Sequence, residues 1–464
     1  MNNSKDVKAD SQEKNVAVVN GENVDTSTGE VLKQNTENKA EKEKTETEKR
    51  PMTESEAREY IASLGFKHIN VKELYEVMQV PSCSRYEFRM AAYIILWARK
   101  NGIDYKFDKK GNVYLTKGKL EEGEFYPCVT AHMDTVQDKA KPYALAGAEL
   151  PLRTRRVKST TTDECRHEIY IDGQGIGADD KLGVYISLQL ISKFDKIKAA
   201  FFVEEEIGML GSKELEKDFF NDVAYVIGWD SPDLTRAAWK CSGTQLFTAD
   251  FYKNHLREVV KRWGFEDKDF HSEPFTDVIQ IRDKTGVMCM NFGNGGYNAH
   301  MSNEFLVIEH VDHATGMGED IIKSIGNKEQ FKFTKTFTRT AGGVSSYEDE
   351  RECEKLFGTY STNYNYNTNR SSSSSSSSSS ANNRSDGNVN TKPADDAVNE
   401  ETVKYIVDTY DEYVKGIKED VEKKCDAIED IIKDKFREAG IDYSTFGVNI
   451  KKEFAEVFSK EIKF

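Results

Sequence analysis

The chain has 464 residues and a formal net charge of −15. That length allows two or three domains, and the sign argues against a general affinity for nucleic acid or anionic membrane. Its 7 cysteines are scattered with no C-x-x-C pair, which fits reduced thiols rather than a disulfide framework.

Residues 1–55 are rich in Lys, Glu, Asn and Thr and poor in large apolar side chains. Such a stretch cannot bury enough surface to offset its chain entropy, so a disordered tail is expected. Its start has no apolar signal core, and the longest apolar run, residues 91–98, is too short to span a bilayer. The expectation is a soluble, cytoplasmic protein.

Residues 56–325 alternate apolar runs with amphipathic stretches. Strands are expected at 112–116, 126–131, 168–172, 199–204, 223–229, 245–251 and 286–292. Helices are expected near 85–101, 180–194, 211–219, 252–263 and 303–324. This alternation predicts an α/β domain with a largely parallel centre. Residues 326–397 lose the pattern and contain NYNYNTNR and then ten serines, 371–380, a linker composition. In residues 398–464 apolar positions recur three or four apart, from Val403, Ile406 and Tyr410 to Ile428 and Ile432. They predict a helical hairpin or a coiled-coil segment, closing on itself or on a second copy.

Five short stretches at or after apolar runs hold the chemistry. In CVTAHMDTV, His132 and Asp134 lie two apart and share a strand face, so the carboxylate can brace a ligating imidazole. A polar strand end is the plainer reading of that motif alone. GQGIGADDKLGV lacks the spacing of a phosphate loop, and its paired Asp179 and Asp180 would repel phosphate; Asp180 is also a candidate helix cap. In AAFFVEEEIGMLGS three glutamates end a strand. Neighbours on a regular strand point oppositely, so two of them share a site only if the chain turns, which Gly208 makes cheap. AYVIGWDSPD brings Asp230, and FGNGGYNAHMSNE brings His300. In open α/β sheets ligands bind at the carboxyl ends of strands. Two imidazoles and several carboxylates delivered to that edge make a nitrogen and oxygen site suited to zinc or manganese.

These stretches, in this order, resemble the co-catalytic dizinc metallopeptidases, a superfamily of aminopeptidases, carboxypeptidases and related deacylases. AHMDTV, GADDKLGV, EEEIG and NAHMSNE are similar to its peptidase T group of tripeptide aminopeptidases, as is the upstream KFDKKGNVYLT. The resemblance covers residues 64–325. It implies a three-layer sandwich with a mixed, largely parallel central sheet of the zinc aminopeptidase kind. It also implies two divalent metal ions, zinc or alternatively manganese or cobalt. His132 and Asp230 would hold one ion, Glu206 and His300 the other, and Asp179 would bridge them. Glu205 would be the general base, Asp134 would brace His132, and Tyr297 or His271 would help hold the oxyanion. The peptide between Asp179 and Asp180 would be cis.

The implied activity is exopeptidase hydrolysis of the N-terminal bond of short peptides. No nucleic-acid or membrane partner is expected, and residues 400–464 are a candidate for self-association. One departure concerns the lid and dimerisation domain of the peptidase T group. The interval from Asp230 to His300 reads as a single strand–helix–strand excursion, so that domain is expected to be absent. Two alternatives stay open: a related metal-dependent amidohydrolase or deacylase, and a non-catalytic binding or structural protein on the same fold.

Overall fold

The computed structural model describes residues 16–19, 22–25, 52–136, 138–158, 165–231, 233–333, 339–340, 343–344, 348–358, 403–405 and 407–409. The chain divides into two compact units, residues 1–55 and 56–464. In the first, strands β1 (Val16–Val19) and β2 (Glu22–Asp25) pair antiparallel as a hairpin. This stretch was expected to hold no element. Residues 359–397 of the expected linker and 410–464 of the expected tail lie outside the described residues.

Helices α1 (Glu54–Ser63), whose first two residues precede the second unit, α2 (Val71–Gln79) and α3 (Phe88–Lys100) come next. Strands β3 (Asp104–Phe107), β4 (Val113–Lys117) and β5 (Tyr126–His132) follow. Next come α4 (Lys141–Ala146), β6 (Arg153–Lys158), β7 (Cys165–Tyr170), α5 (Ala178–Lys193) and β8 (Ile197–Phe202). The short α6 (Leu210–Lys213) leads to β9 (Val223–Ser231), β10 (Ala237–Cys241), β11 (Thr244–Gln245) and α7 (Ala249–Phe251). After α8 (Arg257–Arg262) come β12 (Phe270–Glu273), α9 (Asp277–Thr285), β13 (Cys289–Gly293), β14 (Gly296–Tyr297) and β15 (Phe305–Val307). Helix α10 (Ile308–Ile325), strands β16 (Arg339–Thr340) and β17 (Gly343–Val344), and α11 (Glu348–Phe357) complete the described elements.

Among the described residues, nine strands form the main sheet in the order β11-β10-β13-β9-β5-β8-β4-β3, with β12 beside β10. The centre, β13-β9-β5-β8, is parallel, and β3, β4 and β11 add antiparallel edges. Every residue of β5 and β8 is buried. Their burial on both faces follows from helices packing on the sheet: α5 lies on β5 and β9, and α9 on β13. The mixed, largely parallel α/β architecture is thus as expected. A smaller antiparallel sheet, β14-β15-β7-β6, stands beside it.

Local chemistry explains the departures. The apolar run 245–251 reads as a strand, but Thr248 accepts a hydrogen bond from the Phe251 N–H and caps a helix there instead. The interval between Asp230 and His300 is more than one excursion. It carries β10 to β14 with α7, α8 and α9, and four of these strands join the main sheet. The expected linker contains α11, whose Cys353 and Phe357 are buried in the main apolar cluster, Phe357 packing on Phe270 and Tyr252. Val403 and Val407 of the expected tail belong to the same cluster, so the start of that segment is not detached from the domain. No described helix is long and apolar enough to cross a membrane.

Candidate metal centre

Parallel pairing of β5 with β8 and β9 brings three strand ends to one edge. His132 ends β5, the three glutamates follow β8, and Asp230 is the penultimate residue of β9. Asp179 stands at the start of α5, and His300 lies in the loop after β14, in the left-handed region at φ 65°.

The backbone of the three glutamates is fixed by other carboxylates. The Glu204 N–H donates to Glu87 at 3.0 Å, and the Glu205 and Glu206 N–H groups donate to the two oxygens of Asp134 at 2.9 and 3.2 Å. Glu204 itself takes φ 55°, and Gly208, at φ 117°, completes the turn. The three side chains therefore diverge. Glu204 turns away to Lys110 and Arg85. Glu205 faces His132 and Asp230, and Glu206 faces His300. The three carboxylates thus point into different surroundings rather than sharing one.

Asp179 joins the two halves. One carboxylate oxygen lies 3.1 Å from His132 Nε2, the other 3.1 Å from His300 Nε2. His132 Nε2 is also 3.7 Å from Asp230, and His300 Nε2 is 3.0 Å from Glu206. His132 Nδ1 is bonded to the Asp134 carbonyl oxygen at 2.9 Å, with the Asp134 carboxylate at 3.4 Å. The brace is thus mainly the main-chain oxygen, and it leaves Nε2 toward the acids. Ligand atoms of His132, Glu205 and Asp230 lie within 4.8 Å of one another, as do those of His132, Asp179 and Glu206.

Asp180 supports this frame from beneath. It is fully buried, accepts the Gly183 N–H at 2.9 Å and Asn294 Nδ2 at 3.1 Å, and receives the His132 N–H at 3.3 Å. The cap expected of Asp180 is therefore present. Gly183 is required: a Cβ there would lie 2.3 Å from the Asp180 carboxylate. The Asp179–Asp180 peptide is cis. The adjacent Lys181 is buried and gives its ammonium to the Met78 carbonyl at 2.8 Å.

Protonation reflects the crowding. Burial, then the charge of Asp179, pushes Glu206 up to about 8 and raises Asp230. Burial, then Asp230, Asp277 and Glu206, raises Glu205 well above the carboxylate range. Burial also opposes ionisation of Asp179, but hydrogen bonds from His132 and His300 outweigh it and hold that group low. Burial likewise opposes charge on His300, yet Asp179 and Glu206 raise it to about 11. This many acids cannot all ionise together without nearby positive charge, and one Glu205 oxygen is buried with no hydrogen-bond partner. Divalent cations suit such a donor set.

A cleft of about 300 Å³ opens over these groups, bounded by Glu205, Glu206, Glu273, Phe275 and His300. A water-sized pocket of about 40 Å³ adjoins it between Asp179, Asp230, Ser231 and Tyr297. Tyr297 therefore reaches the site, although its hydroxyl is engaged with His310 Nδ1 at 2.5 Å. His271 does not line the cleft; it is a half-buried member of β12, paired with Ala238, two residues before Glu273.

Sequence reading missed three supporting acids. Glu87 precedes α3. Glu304 accepts the Gly177 and Asp179 N–H groups at 2.7 and 3.2 Å. Asp277 is buried at the start of α9 with neither oxygen hydrogen-bonded. Only Glu304, inside NAHMSNE, stood in a recognisable motif.

Over 204 residues the chain is 26% identical to the cytosol non-specific dipeptidase of Escherichia coli. The sequence relative is a peptidase. The match takes in 41% of this chain and 38% of that dipeptidase, so the chain spans well under half the length of its relative. No family profile matches the sequence. Among solved structures, aminopeptidase PepT from Bacillus cereus superposes with TM-score 0.41 at 16% identity, over 55% of this chain and 97% of that one. The Pyrococcus horikoshii TET1 peptidase gives 0.40 at 15%, over 54% and 98%. The aminoacylhistidine dipeptidase of Vibrio alginolyticus gives 0.30 at 22%, over 37% and 34%.

Proposed function

We propose that the domain is a metal-dependent exopeptidase that removes the N-terminal residue of short peptides. The observation that carries this reading is Asp179, whose two oxygens face two different imidazoles. A carboxylate so placed could serve two cations. His132 and Asp230 would hold one and Glu206 and His300 the other, with zinc or manganese suited to the ligand set. Two such ions, when bound, supply the positive charge that polarises a carbonyl and activates water.

The residues supply the rest. Glu205 points into the same space with one oxygen free of protein partners, so it takes the proton of the attacking water and returns it to the departing amine. The Asp134 carboxylate fixes the Glu205 and Glu206 backbones, and its carbonyl fixes the His132 ring. Asp180 and Glu304 hold the chain around Asp179.

The test is release of the first residue from unblocked tripeptides and from their N-acetyl forms by zinc- or manganese-loaded protein. The account expects cleavage of the free peptides, loss on chelation and recovery on adding metal back. Preference for the acetylated forms would instead make the domain a deacylase of the same chemistry.

A further inference from the structure

The small sheet β14-β15-β7-β6 carries an unusual face for a chain of net charge −15. In its register Tyr297 lies opposite Phe305, Phe305 opposite Tyr170, and Glu168 opposite Arg155. Tyr297 and Phe305 stack with centroids 5.4 Å apart. Arg155 sits 4.5 Å over Tyr170 and 5.7 Å over Phe305, and Arg166 sits 5.7 Å over Phe305. The opposite face, with Ile169 and Leu306, is buried.

Both guanidinium groups are held in place. Arg155 donates to one oxygen of the buried Glu168 at 2.6 Å, and Arg166 forms an ion pair with the other at 2.7 Å without hydrogen-bond geometry. Two cations against one carboxylate leave a positive charge, and the arginines are 47% and 46% exposed. Each has five donors, so N–H groups remain for a ligand. The aromatic face is continuous with the cleft, because Tyr297 also lines the pocket beside Asp179 and Asp230. The Tyr297 hydroxyl is acted on by the carboxylate of Asp233 first and by Arg166 less strongly.

We propose that Arg155 and Arg166 bind the free C-terminal carboxylate of the peptide whose N-terminal bond lies at the metal centre. The inference rests on the exopeptidase reading and extends it to substrate class: short peptides with an unblocked carboxyl end. The half-exposed arginine face attracts a free carboxylate and repels an ammonium, which sets the carboxyl end of the peptide there. A planar, preorganised guanidinium matches a carboxylate in geometry as well as sign.

The test compares kcat/KM for an unblocked tripeptide with that for its C-terminal amide. The intact protein prefers the acid. Arg166→Gln lowers that preference by about five- to tenfold, and Arg166→Lys falls between. Arg166 is the better first target because Arg155 still satisfies Glu168, and a thermal melt checks folding. The Arg155→Gln change reads the same ratio from the second guanidinium. An unchanged preference in both glutamine variants, or an equal fall for acid and amide, overturns the proposal. Calorimetric binding of both peptides to metal-loaded Glu205→Gln protein separates the two claims. Acid-selective binding lost in Arg166→Gln, without turnover in the parent, would remove the peptidase reading and keep this one. Turnover without acid selectivity would do the opposite.

Discussion

The two halves of the candidate metal centre are built differently. His132 is 2% exposed and ends a fully buried strand, with its second ring nitrogen fixed by the Asp134 carbonyl. His300 is 32% exposed and rides on a loop at a left-handed residue. Both groups of donors that already lie within cation reach use His132. The inner half is thus built on the sheet and the outer half on a loop, although His300 already stands 3.0 Å from Glu206 and 3.1 Å from Asp179. A donor carried on a loop costs more ordering on ligation than one at a buried strand end.

The largest expected effect separates a base from a ligand. Glu205 belongs geometrically to the inner half, beside His132 and Asp230. If it moves protons, Glu205→Gln keeps both metals and lowers kcat by roughly 10³-fold. Metal analysis of the variant with its kinetics decides this, and loss of one equivalent of metal would make Glu205 a ligand. Next comes the shared support. Asp134 accepts the N–H groups of both Glu205 and Glu206, and the Ser84 hydroxyl. Asp134→Asn leaves one oxygen where two are used, so metal affinity should fall about 10–100-fold, measured by chelator competition.

The contrast between the halves is sharpened by metal titration. Calorimetry should resolve two binding steps about tenfold or more apart, and His300→Ala should remove only the weaker one. Equal steps in the intact protein would mean that the loop is as well ordered as the strand end.

How much of this was legible follows the same division. His132, Glu205, Glu206 and Asp230 could be read because each ends an apolar run, and a parallel sheet delivers such ends to one edge. Asp179 and His300 came from turn motifs whose order resembles known metallopeptidases. Glu87 and Asn294 could not be read, since each acts through a partner remote in sequence, as Glu87 does on the Glu204 N–H and Asn294 on Asp180; Asp277 could not be read because it is buried at a helix start that carries no motif. The strand ladder from β10 to β13 was compressed because short strands separated by Thr248-type caps carry little periodicity. Helix α11 was hidden by its neighbours' composition, although Cys353 and Phe357 are four residues apart and buried.

The smallest effect concerns Glu87, at the base of the glutamate turn. Burial, then the charge of Asp134, pushes it from 4.5 to about 8. The folded protein thus keeps a proton that the unfolded chain has released. Stability linked to this group is complete below about 4.5 and is lost as pH rises through about 8. Glutamine can still accept the Glu204 N–H and never ionises. In metal-free protein, Glu87→Gln should therefore gain on the parent by a few degrees in Tm, about 2–4 °C, between pH 5 and 8.5. A constant difference across that range would show that Glu87 does not titrate there.

The central claim is that these acids and imidazoles hold metal for peptide hydrolysis. The most direct measurement is amino-acid release from an unblocked tripeptide by the full chain as zinc or manganese is titrated into chelator-stripped protein. The account predicts no release without metal, and release that rises to a plateau at two equivalents. Release that persists in the stripped protein, or none at any metal loading, would contradict it.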